Sequence, residues 1–543
     1  MDGVTPPVET PTIKVTDAWE RLFDPDHALA LSKVLAACLP ARRWFRSKSR
    51  SIVSVTLIDL INLPCADATA YLTVVQVTYA QGEPERYLLL LGLADRSQAG
   101  EILRASPQAV MAHLTMADGS AGVLYDAVGD PSISLALLDL IAEHRRLEGR
   151  AGEVCGHTTG AFEQIRGTGV LEPHVLRAEQ TNTSIRFGDR LILKLYRRLD
   201  EGVTPDLEIG AYLTTDVTYP HTPAVAGHLE SKTDEGRAVT LALLQAYVPN
   251  RGDAWSYSLT CLDQFFDRVP IDDASATSPI AALIGDYLEA VRLIAQRTAE
   301  LHLALAAAAR DPAMTAEPFD ERHRESLCRD MRHRASQVFR QLRDALPQLP
   351  ASVLPSAQRA LRLEARALED LGSILRVGNA GQRIRIHGDY HLGQLLRAGD
   401  DFVVIDFEGE PARPLSERRM KRSALADVAG MLRSFQYAAF SALIQRTTGE
   451  SGASLSRLEH WARLWERFVG TTFLDRYLEA ASKGRFLPDD RDARRILLKV
   501  HLLDKAVYEL GYELNHRPTW LEVPLWGLDD LLKTGTAPVL RKT

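Results

Sequence analysis

The chain begins with a Pro- and Thr-rich stretch, residues 1–16, which predicts a frayed end. Asp17 to Leu39 then carries apolar residues at helical spacing, and Pro40 ends the pattern. The period changes to two over Ile52 to Leu63, Ala70 to Tyr79 and Arg86 to Leu93. The alternation in Tyr71-Leu72-Thr73-Val74-Val75-Gln76-Val77 predicts an antiparallel sheet with one covered face. Gly122 to Tyr125 predicts another strand and Ser132 to Glu148 a helix, and strands resume beyond Gly156. Val175 to Phe187 reads as a hairpin, Arg190 to Tyr196 as a strand, and Val239 to Val248 as an apolar strand broken by Pro249 to Asp253. Beyond that break the period is almost wholly helical: Leu259 to Phe266, Ile280 to Ala308, Asp320 to Leu346, Ser356 to Leu371 and Arg495 to Asn515. This succession predicts an α+β chain with a strand-rich first half and a helical second half.

Composition narrows the class. With 543 residues, 45% apolar and 25% charged, the chain has the make-up of a soluble globular protein of two or three domains. The formal net charge of −7, without a long Lys/Arg block, argues against nucleic acid as a partner. No apolar run is long enough to span a bilayer, and no signal-peptide pattern opens the chain. Five scattered cysteines without metal-ligand spacing favour a reducing compartment, so a cytoplasmic location is expected.

The candidate chemistry concentrates in Ile386 to Pro411, IHGDYHLGQLLRAGDDFVVIDFEGEP. Asp389 and Gln394 have the D-x-x-x-x-N spacing of a phosphotransferase catalytic loop, with an amide of another length at the second position. A polar turn, Ala398 to Asp401, leads into the apolar run Phe402 to Ile405, which ends on Asp406. Phosphoryl transfer needs positioning and charge neutralisation, so Asp389 is assigned as the base that takes the hydroxyl proton. Asp406 and Gln394 offer oxygens to a hard cation, expected to be Mg²⁺, and Glu408 a further one.

The first half supplies candidate nucleotide ligands. The polar tip Thr181, Asn182, Thr183 and Ser184 suits a hairpin lying over phosphates. Lys194 interrupts an apolar strand, which is costly without a partner, and Glu208 at a helix start is the expected one. Gln245, Tyr247 and Val248 precede the chain break, where an adenine would meet backbone. Near the C-terminus, Lys505, Tyr508, Glu509 and Tyr512 share a helix face, with Arg517 just before Pro518. That face reads either as a solvated ion pair with half-buried tyrosines or as a sugar-binding surface.

HGDYHLGQ, IDFEGEP and PLSERRMKRSALADVAGMLRSFQYAA resemble the maltokinase family, whose relatives are the aminoglycoside-phosphotransferase-like kinases. VLRAEQTNTSIRFGDRLILKLYRRL, DLEIGAYL, RWFRSK and YELGYELNHRPTWLEVPLWGL extend the likeness from about Asp17 to Leu532. The resemblance implies a bilobal protein-kinase-like fold: an N-terminal α/β cap over 1–120, an antiparallel β lobe with nucleotide-binding strands over 121–248, and a mainly helical lobe over 249–543. It implies ATP- and Mg²⁺-dependent phosphorylation of maltose at the anomeric hydroxyl, within trehalose and glycogen metabolism. It makes Asp389 the base, Gln394 and Asp406 the metal ligands, Lys194 the phosphate lysine and Glu208 its partner. Glu408 stands where some relatives have Asp. Asp427 matches the helix-start Asp that braces the catalytic loop, His387 a packing residue of that loop, and His391 a substrate contact. The likeness also favours the sugar-site reading of Lys505, Tyr508, Glu509, Tyr512 and Arg517. Some relatives are fused behind a trehalose synthase; its barrel is not in this sequence, so any association is expected to be non-covalent. Two other readings are a related sugar or amino-sugar kinase, such as one for glucosamine, and a catalytically silent module of a trehalose synthase.

Overall fold

In the computed structural model, residues 10–65, 68–176, 181–233, 236–270, 279–307, 310–447 and 453–533 are described. The chain forms two compact units, one of residues 1–215 with 223–248, the other of 216–222 with 249–543.

The first unit starts with β1 (Thr12–Val15) and α1 (Ala28–Cys38), followed by the long strands β2 (Ile52–Pro64), β3 (Thr69–Tyr79) and β4 (Glu85–Asp95). Then come α2 (Arg96–Ala105), β5 (Val110–Met116), β6 (Ala121–Asp126), α3 (Pro131–Ala142), β7 (Arg146–Glu148), β8 (Gly152–Thr158) and α4 (Phe162–Arg166). The unit continues through β9 (Pro173–Leu176), β10 (Thr183–Phe187), β11 (Leu191–Leu195), β12 (Arg198–Leu199), α5 (Pro205–Thr215), β13 (Val225–Thr233) and β14 (Ala238–Ala246). Among the described residues, one sheet runs β1-β5-β6-β4-β3-β2 with β12 on β4, the other β7-β8-β13-β14-β11-β10-β9.

The first sheet is covered on both faces, not on one as its alternation suggests. Tyr71, Val75, Val77, Leu89 and Leu91 pack with Phe23, Leu31 and Leu35. The opposite residues Leu72, Leu88 and Leu90 share a core with Ile185, Leu193 and Leu243 of the second sheet. A strand's polar alternate positions read as solvent-facing until a second layer covers them.

Several predicted helices are cut short for local reasons. Over Asp17 to Leu39, short 3-10 turns at Trp19–Phe23 and Pro25–His27 precede α1, because Pro25 cannot continue a helix ladder. The helix predicted to Glu148 stops at Ala142; His144 takes φ +52°, and Arg146–Glu148 pairs with β8 instead. The Val175–Phe187 hairpin forms as β9 against β10, and the part of its tip at 177–180 lies outside the described residues.

The second unit is largely helical. It contains α6 (Ala254–Arg268), α7 (Ile280–Ile284), α8 (Tyr287–Leu305), β15 (Glu317–Pro318), α9 (Glu321–Ala345), α10 (Leu354–Arg362), α11 (Glu364–Gly372) and β16 (Gln382–Arg383). The hairpin β17 (Leu395–Ala398) and β18 (Asp401–Val404) follows, then α12 (Leu415–Arg418), α13 (Leu425–Thr447), α14 (Ala453–Ala480), α15 (Arg491–His516) and α16 (Glu522–Lys533). Gly285, at φ +67°, splits the helix predicted from Ile280, and residue 308 lies outside the described residues. Asp253 caps α6 by accepting the Ser256 N–H at 2.7 Å, so the polar break doubles as a helix start. Helix α15 packs on α13 and α9.

Candidate active site

The stretch from Ile386 to Pro411 folds onto itself around the hairpin β17–β18. Ile405 N–H donates to Gln394 O at 3.0 Å, which brings Gln394 beside the next residue, Asp406. Gln394 Nε2 donates to Asp406 Oδ2 at 3.1 Å, leaving the amide oxygen for another partner. Asp406 takes φ +69°, a left-handed conformation that costs a side-chain-bearing residue roughly 1–3 kcal/mol. Such strain is held in place where the surrounding structure over-determines it, commonly at functional sites.

His387 is buried and links the two halves. Its Nε2 lies 2.9 Å from Ile405 O, and its Nδ1 is 3.4 Å from the Asp389 N–H. Nδ1 is therefore the acceptor and Nε2–H the donor. Asp427, at the start of α13, accepts the N–H groups of His387 at 2.8 Å and Gly388 at 2.9 Å. His302 Nε2 is 3.2 Å from the same carboxylate, and its Nδ1 meets Tyr477 OH at 2.8 Å. Gly430, one turn into α13, has no room for a Cβ, which would stand 2.5 Å from Tyr390 O. His391 Nδ1 accepts the Gly393 N–H at 3.1 Å, and burial holds its pKa below the ordinary value.

Asp389 joins a charged cluster that its local sequence does not announce. Lys505 Nζ, on α15, lies 3.3 Å from Asp389 Oδ1 and 3.0 Å from Glu410 Oε1. Glu410 is 6% exposed and also accepts from Arg413 Nε. Burial opposes the charge of Glu410, but Lys505 and Arg413 outweigh it and bring its pKa down to about 2. Burial likewise opposes the Lys505 ammonium, and Glu410 and Asp389 more than compensate, so its pKa is raised. Lys505 also lies 4.8 Å from the centre of the Tyr508 ring. Burial, followed by the Glu410 charge, pushes the Tyr508 phenol up to about 12, so it remains a donor. The sequence pattern points to Glu408 and not to Glu410; the two acidic residues of EGEP offer no way to choose between them. The main chain of Glu408 accepts from Arg418 Nη1 at 3.2 Å.

The other residues of the α15 face part from Lys505. Glu509, expected to meet substrate, accepts from Arg433 Nε at 2.8 Å and also from Nη2, so its carboxylate ties α15 to α13. Arg517 pairs with Glu513 at 2.9 Å and lies 5.6 Å from the Tyr512 ring centre. Tyr512 is 42% exposed and stacks on His516 at 4.4 Å.

In the first unit, Lys194 Nζ donates to Asp206 Oδ2 at 2.8 Å, two residues before the expected Glu208. Tyr196 OH donates to the same oxygen at 3.2 Å. Lys194 and Asp206 are both buried, at 9% and 1% exposed. Thr183, expected at the phosphates, is buried in β10, and its hydroxyl accepts from Arg197 Nε at 2.8 Å. Ser184 is 1% exposed, whereas Thr181 and Asn182 stay half-buried in a bend. Tyr247 N–H, expected at an adenine, donates to Arg190 O at 2.8 Å. Gln245 sits in β14 between Ile192 of β11 and Val225 of β13.

A β-rich unit with a buried Lys–carboxylate pair, and a helical unit with an acidic loop braced from a helix start, are the parts of a protein-kinase-like fold. The comparisons narrow this. The maltokinase N-terminal cap domain matches residues 39–130. A glucosamine kinase of Streptacidiphilus jiangxiensis is 26% identical over 453 residues, 83% of this chain and 92% of that protein. One from Mycolicibacterium smegmatis (strain ATCC 700084 / mc(2)155) is 28% identical over 368 residues, 67% of this chain and 80% of its own. The fold matches the structure of a glucosamine kinase in complex with glucosamine, ADP and inorganic phosphate, with a TM-score of 0.58, 20% identity, and coverage of 92% of this chain and 99% of that one. A second crystal form of glucosamine kinase gives 0.60 at 21% identity, covering 92% and 99%. The expected likeness to maltokinases and aminoglycoside-phosphotransferase-like kinases, and the expected fold, are borne out. Among the described residues, no helix is long and apolar enough to cross a membrane.

Proposed function

We propose that this chain transfers the terminal phosphoryl group of ATP to the anomeric hydroxyl of maltose. The observation that carries this reading is the placement of Asp389 beside Lys505 and Glu410, with Asp406 and Gln394 tied to the same loop through His387. Asp389 takes the hydroxyl proton, the sugar oxygen bonds to the terminal phosphorus, and the bond from that phosphorus to the bridging oxygen breaks, releasing ADP.

Asp406 and the Gln394 amide oxygen suit a hard divalent cation such as Mg²⁺, since both are oxygen donors and Gln394 Nε2 already orients the pair. Glu408 is the third candidate oxygen. When bound, such an ion neutralises charge on the phosphates. Lys194, oriented by Asp206, is assigned to phosphate oxygens, with Glu208 supporting it and Asn182 and Thr181 as donors at the hairpin tip. Gln245, Tyr247 and Val248 are assigned to the adenine, with Tyr247 acting through atoms other than its bonded amide. His391 and Tyr508 are assigned to the sugar. Tyr512 lies one helical turn along, about 6 Å away, which suits a second ring.

Two comparisons pull apart on the acceptor. The cap supports a maltokinase, while the relatives that span most of the chain are glucosamine kinases. Glucosamine is therefore the second reading. Supply of maltose by an associated trehalose synthase in the cytoplasm, as a step towards glycogen, is proposed on the family likeness. The deciding experiment measures ADP release with maltose, glucose and glucosamine, and locates the phosphate on the product. Maltose 1-phosphate is expected; preferential phosphorylation of glucosamine would replace the first reading by the second.

A further inference from the structure

We propose that Lys505 selects the acceptor by charge, filling the ammonium position between Asp389 and Glu410 so that the site takes a neutral sugar and rejects a protonated amino sugar. This deepens the sugar-kinase reading and rests on it. Two carboxylates facing one point are a receptor for an ammonium group. Here the receptor is already filled: Lys505 Nζ is 3.3 Å from Asp389 Oδ1 and 3.0 Å from Glu410 Oε1. The other Glu410 oxygen is held by Arg413, so this carboxylate cannot turn to a second cation without breaking a buried pair. Asp389, Glu410, Lys505 and Arg413 together sum to zero charge.

A sugar ammonium entering here meets a balanced cluster and a like charge beside the base. Like-charge placement of that kind is a common way to reject a near-identical ligand. A neutral hydroxyl meets no such penalty. An ammonium has three N–H donors, and two of those on Lys505 are engaged by carboxylates, leaving one for a sugar oxygen next to Asp389. The Tyr508 ring, 4.8 Å from Nζ, limits where the ammonium can retreat.

The test compares wild type, Lys505→Met and Lys505→Arg for maltose turnover, and for inhibition by glucose and by glucosamine at a pH where the amine is protonated. In wild type, glucosamine is expected to compete about tenfold or more weaker than glucose. Lys505→Met is expected to raise KM for maltose and to reverse the glucose-to-glucosamine ratio by about tenfold or more. Lys505→Arg keeps the positive charge and is expected to keep the rejection. Equal competition by the two monosaccharides in wild type, or a ratio unmoved in folded Lys505→Met, overturns the inference. An equal fall in kcat for every acceptor also overturns it, because Lys505 would then act on the phosphoryl group. If Lys505→Met does not fold, the wild-type competition decides alone. Absence of ADP release with any sugar would instead sink the kinase reading beneath it.

Discussion

Asp427 accepts the backbone N–H of His387 at 2.8 Å, clamping the start of the His387–Gln394 loop to the first turn of α13. Its other oxygen takes the Gly388 N–H at 2.9 Å. Burial opposes the carboxylate charge, but the His302 hydrogen bond and charge, then His387 and the Gly388 N–H, outweigh it and lower the pKa. A lowered carboxyl pKa contributes stability above the unfolded value, near 3.9, and that contribution is lost as pH falls through the folded value. Asp427→Asn turns an NH₂ towards a backbone donor. It is expected to cost about 2–3 kcal/mol at pH 7. Urea unfolding from pH 7 downwards should show the gap to wild type shrinking below about pH 4.

Asp389→Asn should leave the fold intact, since the Lys505 ammonium keeps Glu410. It should lower kcat by about 10²–10⁴-fold with little change in nucleotide KM. Steady-state ADP release measures this, and near-normal turnover would remove Asp389 from the role of base.

Lys194→Met removes the ammonium from the buried Asp206 carboxylate. A loss of about 3–5 kcal/mol is expected, read by denaturant unfolding of the first unit. Asp206→Asn should cost more stability than Glu208→Gln, because Asp206 is 1% exposed and accepts from both Lys194 and Tyr196. The opposite order would return Glu208 to the place given it by the family resemblance.

Glu509→Gln should act on stability before it acts on substrate. It weakens the buried pair with Arg433 between α13 and α15, for a cost of about 3 kcal/mol. Tyr508→Ala should instead raise the sugar KM while the melting temperature changes less. A large KM effect in Glu509→Gln at unchanged stability would restore Glu509 to the substrate contacts.

Much of the kinase-like plan is local and was therefore legible. The change of period from two to helical spacing follows from side-chain geometry within a few residues. Gln394 and Asp406 flank one short hairpin, so the local turn alone brings them together. The two-sided burial of β3 and β4 was not legible, because a covering layer lies far along the chain.

By itself, then, the sequence determined the loop, the strand ends and the helix faces, which depend on neighbours within one turn or one hairpin. Only the tertiary structure decided which charges meet. Asp206 and Glu208 are two residues apart on a helix, about 200° around its axis, so packing alone sets which one faces Lys194. Lys505 reaches Asp389 across 116 residues. Glu410 became part of the site because the packing of α15 carries an ammonium to it, a juxtaposition that no spacing in the chain encodes.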